Sequence, residues 1–396
     1  MEDFDYMIHK MDSEKRKQIF EIEERIATRN GGIAKEPLRF RILLSSMSDR
    51  MKEIALAKLE GIDAGGSGAY KVSEWMNGLL NLPIGKYRSL PVNHADSVDK
   101  IGEFLKNMRK QLDVAVYSHD KAKDHVVRLI AQWISNPESK GMVLGINGPP
   151  GVGKTELCRA ICRCLGLPFA FVPLGGVNDG NYLDGHSYTY EGATWGRIAD
   201  VLMKCDCSNP VLFFDELDKI SETRHGEEVV HLLIHMTDST QNTQFADKYF
   251  VDVDIDLSRC LMVFSYNDES CVSPILLDRM TRVTAKGYNT TDKIAIAKDF
   301  LMPAILKEFG FKPDSIRISK EIIRHLCRNE ALQFESGVRG LKRALHDIVS
   351  HINLQRYTEG TDIKFPLEIT ESDVDKYAFF EKKGPPMSLS VQAMYM

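Results

Sequence analysis

The middle of the chain alternates between short apolar runs and segments with helical periodicity. Three runs, at 142–146, 209–216 and 260–266, have the length and composition of buried strands, and good helix formers follow the first of them. From about residue 287 onward the pattern is nearly all helical, over 291–309, 319–329 and 338–355. The alternation predicts an α/β fold with a parallel sheet flanked by helices, followed by a small all-α domain.

The first part of the chain is charged and helical instead. Charges are dense at 14–29, and 38–60 has helical spacing after Pro37, a residue that the first turn of a helix accepts. The glycine-rich stretch 61–68 predicts a flexible connection to a third helix at 70–82. The predicted organisation has five parts: a helical N-terminal region at 1–69, a helical segment at 70–112, an α/β domain at 113–286, a helical domain at 287–357, and a C-terminal extension at 358–396 whose end we expect to be disordered.

Composition narrows the class of protein. The hydrophobic content of 43% and charged content of 27% are those of a soluble globular chain. The formal net charge of −5 gives no basic excess, so a nucleic-acid partner is not favoured. The sequence contains no run of 18 apolar residues and therefore predicts no membrane span. Its acidic start does not resemble a targeting segment. Eight cysteines in 396 residues indicate reduced thiols and an intracellular compartment.

The segment 148–155 fits the phosphate-binding pattern G-x-x-x-x-G-K-[ST] at each position. It follows the first predicted strand and precedes a helix that opens with Glu156, as the pattern requires. The glycines let backbone N–H groups face phosphates, Lys154 would reach the β- and γ-phosphates, and the Thr155 hydroxyl would hold Mg²⁺. The motif therefore predicts binding of ATP with Mg²⁺. Its residues are Gly148, Pro149, Pro150, Gly151, Val152, Gly153, Lys154 and Thr155.

Two carboxylates end the second apolar run. A parallel strand would carry Asp215 and Glu216 to the sheet edge where the phosphate-binding loop lies. There Asp215 would complete the Mg²⁺ shell and Glu216 would act as a general base on the attacking water. Asn267 ends the third run and could orient that water, although such a residue can also be an ordinary turn residue. Arg279 and Arg339 lie near predicted helix boundaries, and the residues alone favour surface ion pairs for both.

Together these segments resemble the ATPase module of the Lon protease family, within the AAA+ superfamily of P-loop NTPases, over about 70–356. The resemblance covers many motifs. They are the 148–155 loop, Leu174-Gly175-Gly176-Val177, Gly185-His186, Gly196-Arg197-Ile198, Phe214-Asp215-Glu216-Leu217-Asp218-Lys219, and Leu276-Leu277-Asp278-Arg279-Met280. Ile84 replaces the tryptophan of a Leu-Pro-Trp-Gly-Lys signature of the family.

The resemblance implies roles that the residues alone leave open. Asn267 matches the sensor-1 position, Arg339 matches the sensor-2 arginine, and Arg279 matches an arginine finger that reaches a neighbouring subunit. Tyr117 matches a tyrosine that packs near the adenine. The resemblance identifies the helical domain at 287–357 as the lid of the ATPase. It also implies a homo-oligomeric ring, usually a hexamer, because the arginine finger acts in trans.

Departures from the family change the expected function. The pore-loop aromatic is kept as Tyr190, Glu191 replaces the next aliphatic residue, and Trp195 stands where the family tends to have proline. No serine nucleophile with a lysine in recognisable context follows the lid. The expected function is thus an ATP-driven motor that unfolds, translocates or remodels polypeptide without peptidase activity, and a separate protease subunit could receive its product.

Two alternatives remain from the sequence. A nucleic-acid-associated AAA+ ATPase or packaging factor would need a basic pore, for which Arg224 and His225 are the only hints. A nucleotide-dependent assembly or regulatory module would bind nucleotide without hydrolysing it. The presence of Lys154, Glu216, Asn267, Arg279 and Arg339 argues against this alternative.

Overall fold

A computed structural model of the chain describes residues 12–29, 37–63, 69–136, 142–190, 192–329, 332–358 and 365–378. The chain divides into two compact units, Met1–Gly85 and Lys86–Met396. Most of the predicted linker at 61–68 and the predicted disordered end of the chain lie outside the described residues. No helix within these ranges is long and apolar enough to cross a membrane.

The first unit consists of helices. Its interior is formed by apolar side chains such as Ile42, Ala55 and Trp75. The single helix predicted over 38–60 is wrong, because a serine-rich break divides it: Ser45 Oγ donates to the carbonyl of Ile42 at 2.6 Å and ends the first piece. The helices are α1 (Ser13–Arg29), α2 (Leu38–Leu44), α3 (Asp49–Asp63) and α4 (Ala69–Asn81).

A five-stranded parallel sheet forms the centre of the second unit, with its strands in the order Phe169–Pro173, Val211–Asp215, Leu261–Tyr266, Val143–Asn147 and Thr281–Thr284. Its inner strands are buried almost throughout, which explains their continuous apolar runs. The strands are β1 (Val143–Asn147), β2 (Phe169–Pro173), β3 (Val211–Asp215), β6 (Leu261–Tyr266) and β7 (Thr281–Thr284), while β4 (Phe245–Ala246) and β5 (Asp254–Ile255) form a separate antiparallel pair. This is the predicted α/β fold.

Helices flank the sheet and pack on it through apolar faces. Leu157 and Ile161 of the helix after β1 contact the core that Leu144, Phe213 and Val263 provide. The predicted domain boundary at residue 112 falls inside a helix, α5, whose Met108 and Leu112 belong to the same core. The helices are α5 (Val98–Ala115), α6 (Asp120–Ser135), α7 (Lys154–Leu165), α8 (Asn181–Asp184), α9 (Arg197–Cys205), α10 (Arg224–Thr237) and α11 (Pro274–Arg279).

The lid follows β7 and has its own apolar core. It contains α12 (Thr290–Ile296), a π-helical turn (Ala297–Leu301), α13 (Met302–Glu308), β8 (Ile316–Arg317), α14 (Lys320–Arg328), α15 (Arg339–Thr358), β9 (Leu367–Glu368) and α16 (Glu371–Tyr377). The predicted end of the lid at 357 is too early. Ile369 and Val374 are buried in the lid core, and β9 pairs in parallel with β8.

Candidate active site

A cavity of about 1000 Å³ opens where the carboxyl ends of the strands meet the lid. Parallel strands deliver their carboxyl ends to one edge of a sheet, so the polar residues after β1, β3 and β6 converge there. Twelve of the predicted site residues line this cavity: Tyr117, Pro150, Gly151, Val152, Gly153, Lys154, Thr155, Glu156, Asp215, Glu216, Asn267 and Arg339.

The loop at 148–155 connects β1 to α7 in the way the motif predicts. Gly148 donates its N–H to the Tyr266 carbonyl at 3.2 Å, and a Cβ at this position would lie 2.1 Å from the Ala285 carbonyl oxygen. Only glycine therefore fits at 148. Gly153 is the N-cap of α7 and has φ of +92°, a value that glycine adopts without strain. The N–H groups at the start of a helix suit a phosphate.

Lys154 points back into the loop rather than to solvent. Its Nζ donates to Asn267 Oδ1 at 2.6 Å, to the Tyr266 carbonyl at 3.2 Å, and to the Gly148 and Pro149 carbonyls. Burial lowers the pKa of the Lys154 ammonium, while the charges of Asp218 and the neighbouring carboxylates oppose that shift. The carbonyls of Gly148 and Pro149 therefore contact Lys154, and Asn267, which the resemblance matches to the sensor-1 position, lies within hydrogen-bond distance of the same lysine.

The two carboxylates after β3 have different surroundings. Asp215 accepts a hydrogen bond from Ser265 Oγ on the adjacent strand β6. Glu216 lies in the left-handed region at φ 59° and ψ 48°, which costs a non-glycine residue about 1–3 kcal/mol. Its side chain packs against Gly175, where a Cβ would lie 2.0 Å from Glu216 Oε2. No local sequence pattern indicates this contact.

The contact makes a prediction for Gly175→Ala. The added methyl group would meet Glu216 Oε2 at 2.0 Å and Cδ at 3.2 Å, which belong to the flexible end of that side chain, and would reach its Cβ at an ordinary contact distance of 3.4 Å, so the fold should survive while the carboxylate moves. Since displacing a reacting group by about 1 Å can cost on the order of 100-fold in rate, we expect kcat to fall by about 10- to 100-fold with nucleotide affinity unchanged. Steady-state ATPase kinetics and nucleotide titration measure the two quantities. Gly102→Ala, where a Cβ meets nothing within 4 Å, is the matched control. Wild-type turnover in Gly175→Ala would refute the positioning role.

The lid touches the phosphate-binding loop directly. Val338 donates its N–H to the Gly151 carbonyl at 3.2 Å, and a Cβ at Gly337 would lie 2.2 Å from the Pro150 carbonyl oxygen. Arg339 begins α15 immediately after this contact and lines the cavity. A movement of the lid would therefore change the distance between Arg339 and the loop.

The far end of the cavity is apolar and holds Tyr117. Its ring makes edge contacts with Tyr288, at 6.5 Å between centroids, and with Phe300, at 6.3 Å. The Val152 carbonyl accepts a hydrogen bond from Tyr288 Oη at 2.8 Å, and His119 Nε2 lies 3.2 Å from the same carbonyl and 3.0 Å from Tyr288 Oη. Burial lowers the pKa of His119, favouring the neutral ring.

His119 and Tyr288 were absent from the sequence-based prediction. They connect three segments that are distant in sequence: the one before α6, the P-loop and the start of the lid. A contact between distant segments leaves no local pattern in the sequence from which it could be predicted.

The donor set fits Mg²⁺ with a nucleotide. Thr155 and Asp215 bring a hydroxyl and a carboxylate to one cavity, and Mg²⁺ is commonly bound by one or two protein oxygens together with substrate phosphates. Across the described ranges, no group of three or more His, Cys, Asp or Glu side chains could hold a metal by itself.

Three predicted residues lie elsewhere. Arg279 donates to Asp238 Oδ2 at 3.0 Å and to the Ile234 carbonyl, at the end of α10. Tyr190 and Trp195 lie in the connection between α8 and α9, and Glu191 falls outside the described residues.

Comparisons with known proteins agree with this geometry. The model of the ATPase family associated with various cellular activities (AAA) matches residues 144–288. The chain is 37% identical over 317 residues to a Lon protease homolog of Acanthamoeba polyphaga mimivirus, which covers 79% of this chain and 31% of that protein. It is 36% identical over 283 residues to the Lon protease of Desulfatibacillum aliphaticivorans (72% and 33% covered) and 34% identical over 318 residues to that of Dictyoglomus thermophilum (80% and 38% covered).

The chain carries an AAA+ ATPase module of the Lon type. This confirms the predicted family, its α/β fold and its ATPase class. The chain spans about a third of the length of these relatives. The individual roles of the site residues in this Lon-type module stay predictions.

Proposed function

We propose that this Lon-type module hydrolyses ATP within a homo-oligomeric ring and uses the energy to unfold, translocate or remodel polypeptide. The observation that carries the proposal is the convergence of Lys154, Glu216, Asn267 and Arg339 on one cavity, together with an arginine and an exposed tyrosine placed away from it.

Each group at the cavity has a role in the hydrolysis of the γ-phosphate. Glu216 takes a proton from the attacking water, whose oxygen bonds to phosphorus as the bond to the leaving diphosphate breaks. Asn267 orients that water, while Lys154 and Arg339 stabilise the negative charge that spreads over the phosphate oxygens. Thr155 and Asp215 hold the Mg²⁺, which supplies further charge neutralisation. Tyr117 and Phe300 offer ring surfaces to the adenine.

The position of Arg279 supports a ring. Its partners are Asp238 and Ile234, not residues that line the cavity of its own chain within the described ranges. Ile275 lies four residues earlier on the same face of α11 and is 55% exposed, so an apolar contact surface accompanies the arginine. A neighbouring subunit that covers this face would receive Arg279 at its own nucleotide.

The connection between α8 and α9 suits a polypeptide contact. The Tyr190 side chain is 69% exposed, which argues against burial in the core of its own chain. Trp195, at the base of the same connection, stacks on Phe250 at 6.0 Å and meets Tyr249 edge-on at 5.6 Å. We propose that Trp195 anchors the connection while Tyr190 contacts the substrate.

For Tyr190→Ala we expect normal basal ATPase activity and loss of its stimulation by an unfolded protein such as casein. The reason is that removal of one exposed ring leaves the nucleotide cavity intact. ATPase rates with casein, with single-stranded DNA and with neither should be compared. Tyr357→Ala, which removes a ring 73% exposed on the lid, is the matched control. Stimulation by DNA alone would instead favour the nucleic-acid alternative.

We further propose that these 396 residues have no peptidase activity, because no serine–lysine pair occurs in recognisable context. Incubation of labelled casein with the protein and ATP should therefore yield no acid-soluble peptides.

A further inference from the structure

The guanidinium of Arg279 has two partners, both at the carboxyl end of α10. One nitrogen donates to Asp238 Oδ2 at 3.0 Å and the other to the Ile234 carbonyl. Carbonyl groups at a helix end carry partial negative charge, so they favour a cation there. With side-chain exposures of 28% for Arg279 and 21% for Asp238, the pair is only partly open to solvent.

Asp238 is also held in place by hydrogen bonds to residues other than Arg279. Its N–H donates to the His235 carbonyl at 3.2 Å, which ends α10. Its Oδ1 accepts from Thr240 N at 2.9 Å and from Thr240 Oγ1 at 2.7 Å, leaving Oδ2 for Arg279. The hydrogen bonds from Thr240, and then the charge of Arg279, lower the pKa of Asp238, so the carboxylate stays ionised at neutral pH.

We propose that Asp238 is a positioning residue that holds Arg279 in the orientation needed at the neighbouring subunit's nucleotide. This inference rests on the proposed function, in which Arg279 acts in trans. A long arginine side chain loses much conformational freedom when it is fixed, and two fixed acceptors order it before the subunits meet.

Two variants separate positioning of the arginine from support of the turn. Asp238→Ala removes the side-chain contacts with Thr240 and the contact with Arg279. Asp238→Asn keeps an oxygen for Thr240 but replaces the charge that faces Arg279 by an amide. Because misplacement of a catalytic group by about 1 Å can cost on the order of 100-fold, we expect both variants to lower kcat by about 10- to 100-fold while KM for ATP stays unchanged. Wild-type kcat in Asp238→Asn would overturn the proposal by reducing Asp238 to a turn residue.

Asp256→Ala is the matched control. Asp256 makes the same kind of turn contact, to Ser258 N at 2.8 Å, but meets Tyr87 instead of an arginine finger. It should turn over ATP at the wild-type rate.

Mixing subunits gives a readout that a folding defect would not produce. Asp238→Ala subunits keep an intact nucleotide cavity, and Glu216→Gln subunits keep an intact arginine. Mixed rings should therefore be more active than either parent, and Arg279→Ala/Asp238→Ala should be no slower than Arg279→Ala alone. Absence of rescue, or additive losses in the double variant, would overturn the proposal. If Arg279→Ala itself has wild-type turnover, the trans finger of the proposed function fails; if only the Asp238 variants do, this inference fails alone.

Discussion

Replacement of Glu216 by glutamine is expected to lower ATP turnover by about 10²- to 10⁴-fold, the usual contribution of a positioned general base. Glutamine has nearly the same shape but cannot accept a proton from water. Nucleotide affinity should remain, because the phosphate-binding loop, Lys154 and Thr155 are unchanged. Phosphate release and the titration of a fluorescent ATP analogue measure the two effects separately.

Glu103→Gln is the control for this experiment, since Glu103 is exposed on α5 away from the cavity. Turnover in Glu216→Gln at more than about a tenth of the wild-type rate would mean that another group accepts the proton. A simultaneous loss of nucleotide binding would instead indicate that the strained backbone at 216 depends on the carboxylate.

The second large effect is expected for Arg279→Ala. Arginine fingers contribute about 10³- to 10⁵-fold to turnover in other NTPases because they stabilise charge that develops in the transition state. If Arg279 acts on the adjoining subunit, Arg279→Ala subunits retain a competent cavity that lacks only this charge. Mixing them with Glu216→Gln subunits should place intact arginines beside intact cavities and restore part of the activity.

Arg324→Ala, which removes an exposed arginine of α14, controls for a general loss of positive charge. A mixture no more active than its inactive parents, under conditions where both assemble, would exclude action in trans.

The chemistry of the site could be predicted because it rests on local patterns. The loop at 148–155 and the strand ending in Asp215 and Glu216 each combine a buried apolar run with polar residues at its carboxyl end. Parallel pairing then brings these ends together without further information. Asn267, at the end of β6, follows the same logic, although its contact with Lys154 depends on the strand order.

Contacts between distant segments could not be predicted in this way. Tyr288 and His119 meet at Val152 although 136 and 33 residues separate them from it in sequence. Gly175 packs against the end of the Glu216 side chain, and Asp238 accepts a hydrogen bond from Arg279, which lies 41 residues later. The break after α2 and the extension of the lid to α16 were missed because hydroxyl capping and a two-residue strand override helical periodicity.

The most direct test of the account is ATP-driven unfolding of a reporter: a fluorescent protein of marginal stability that carries an unstructured tail. The account predicts that fluorescence falls only with the wild-type chain and hydrolysable ATP, that Glu216→Gln and Tyr190→Ala abolish the loss, and that the reporter stays uncut. Vigorous ATP hydrolysis with a reporter that remains folded under all these conditions would contradict a polypeptide motor.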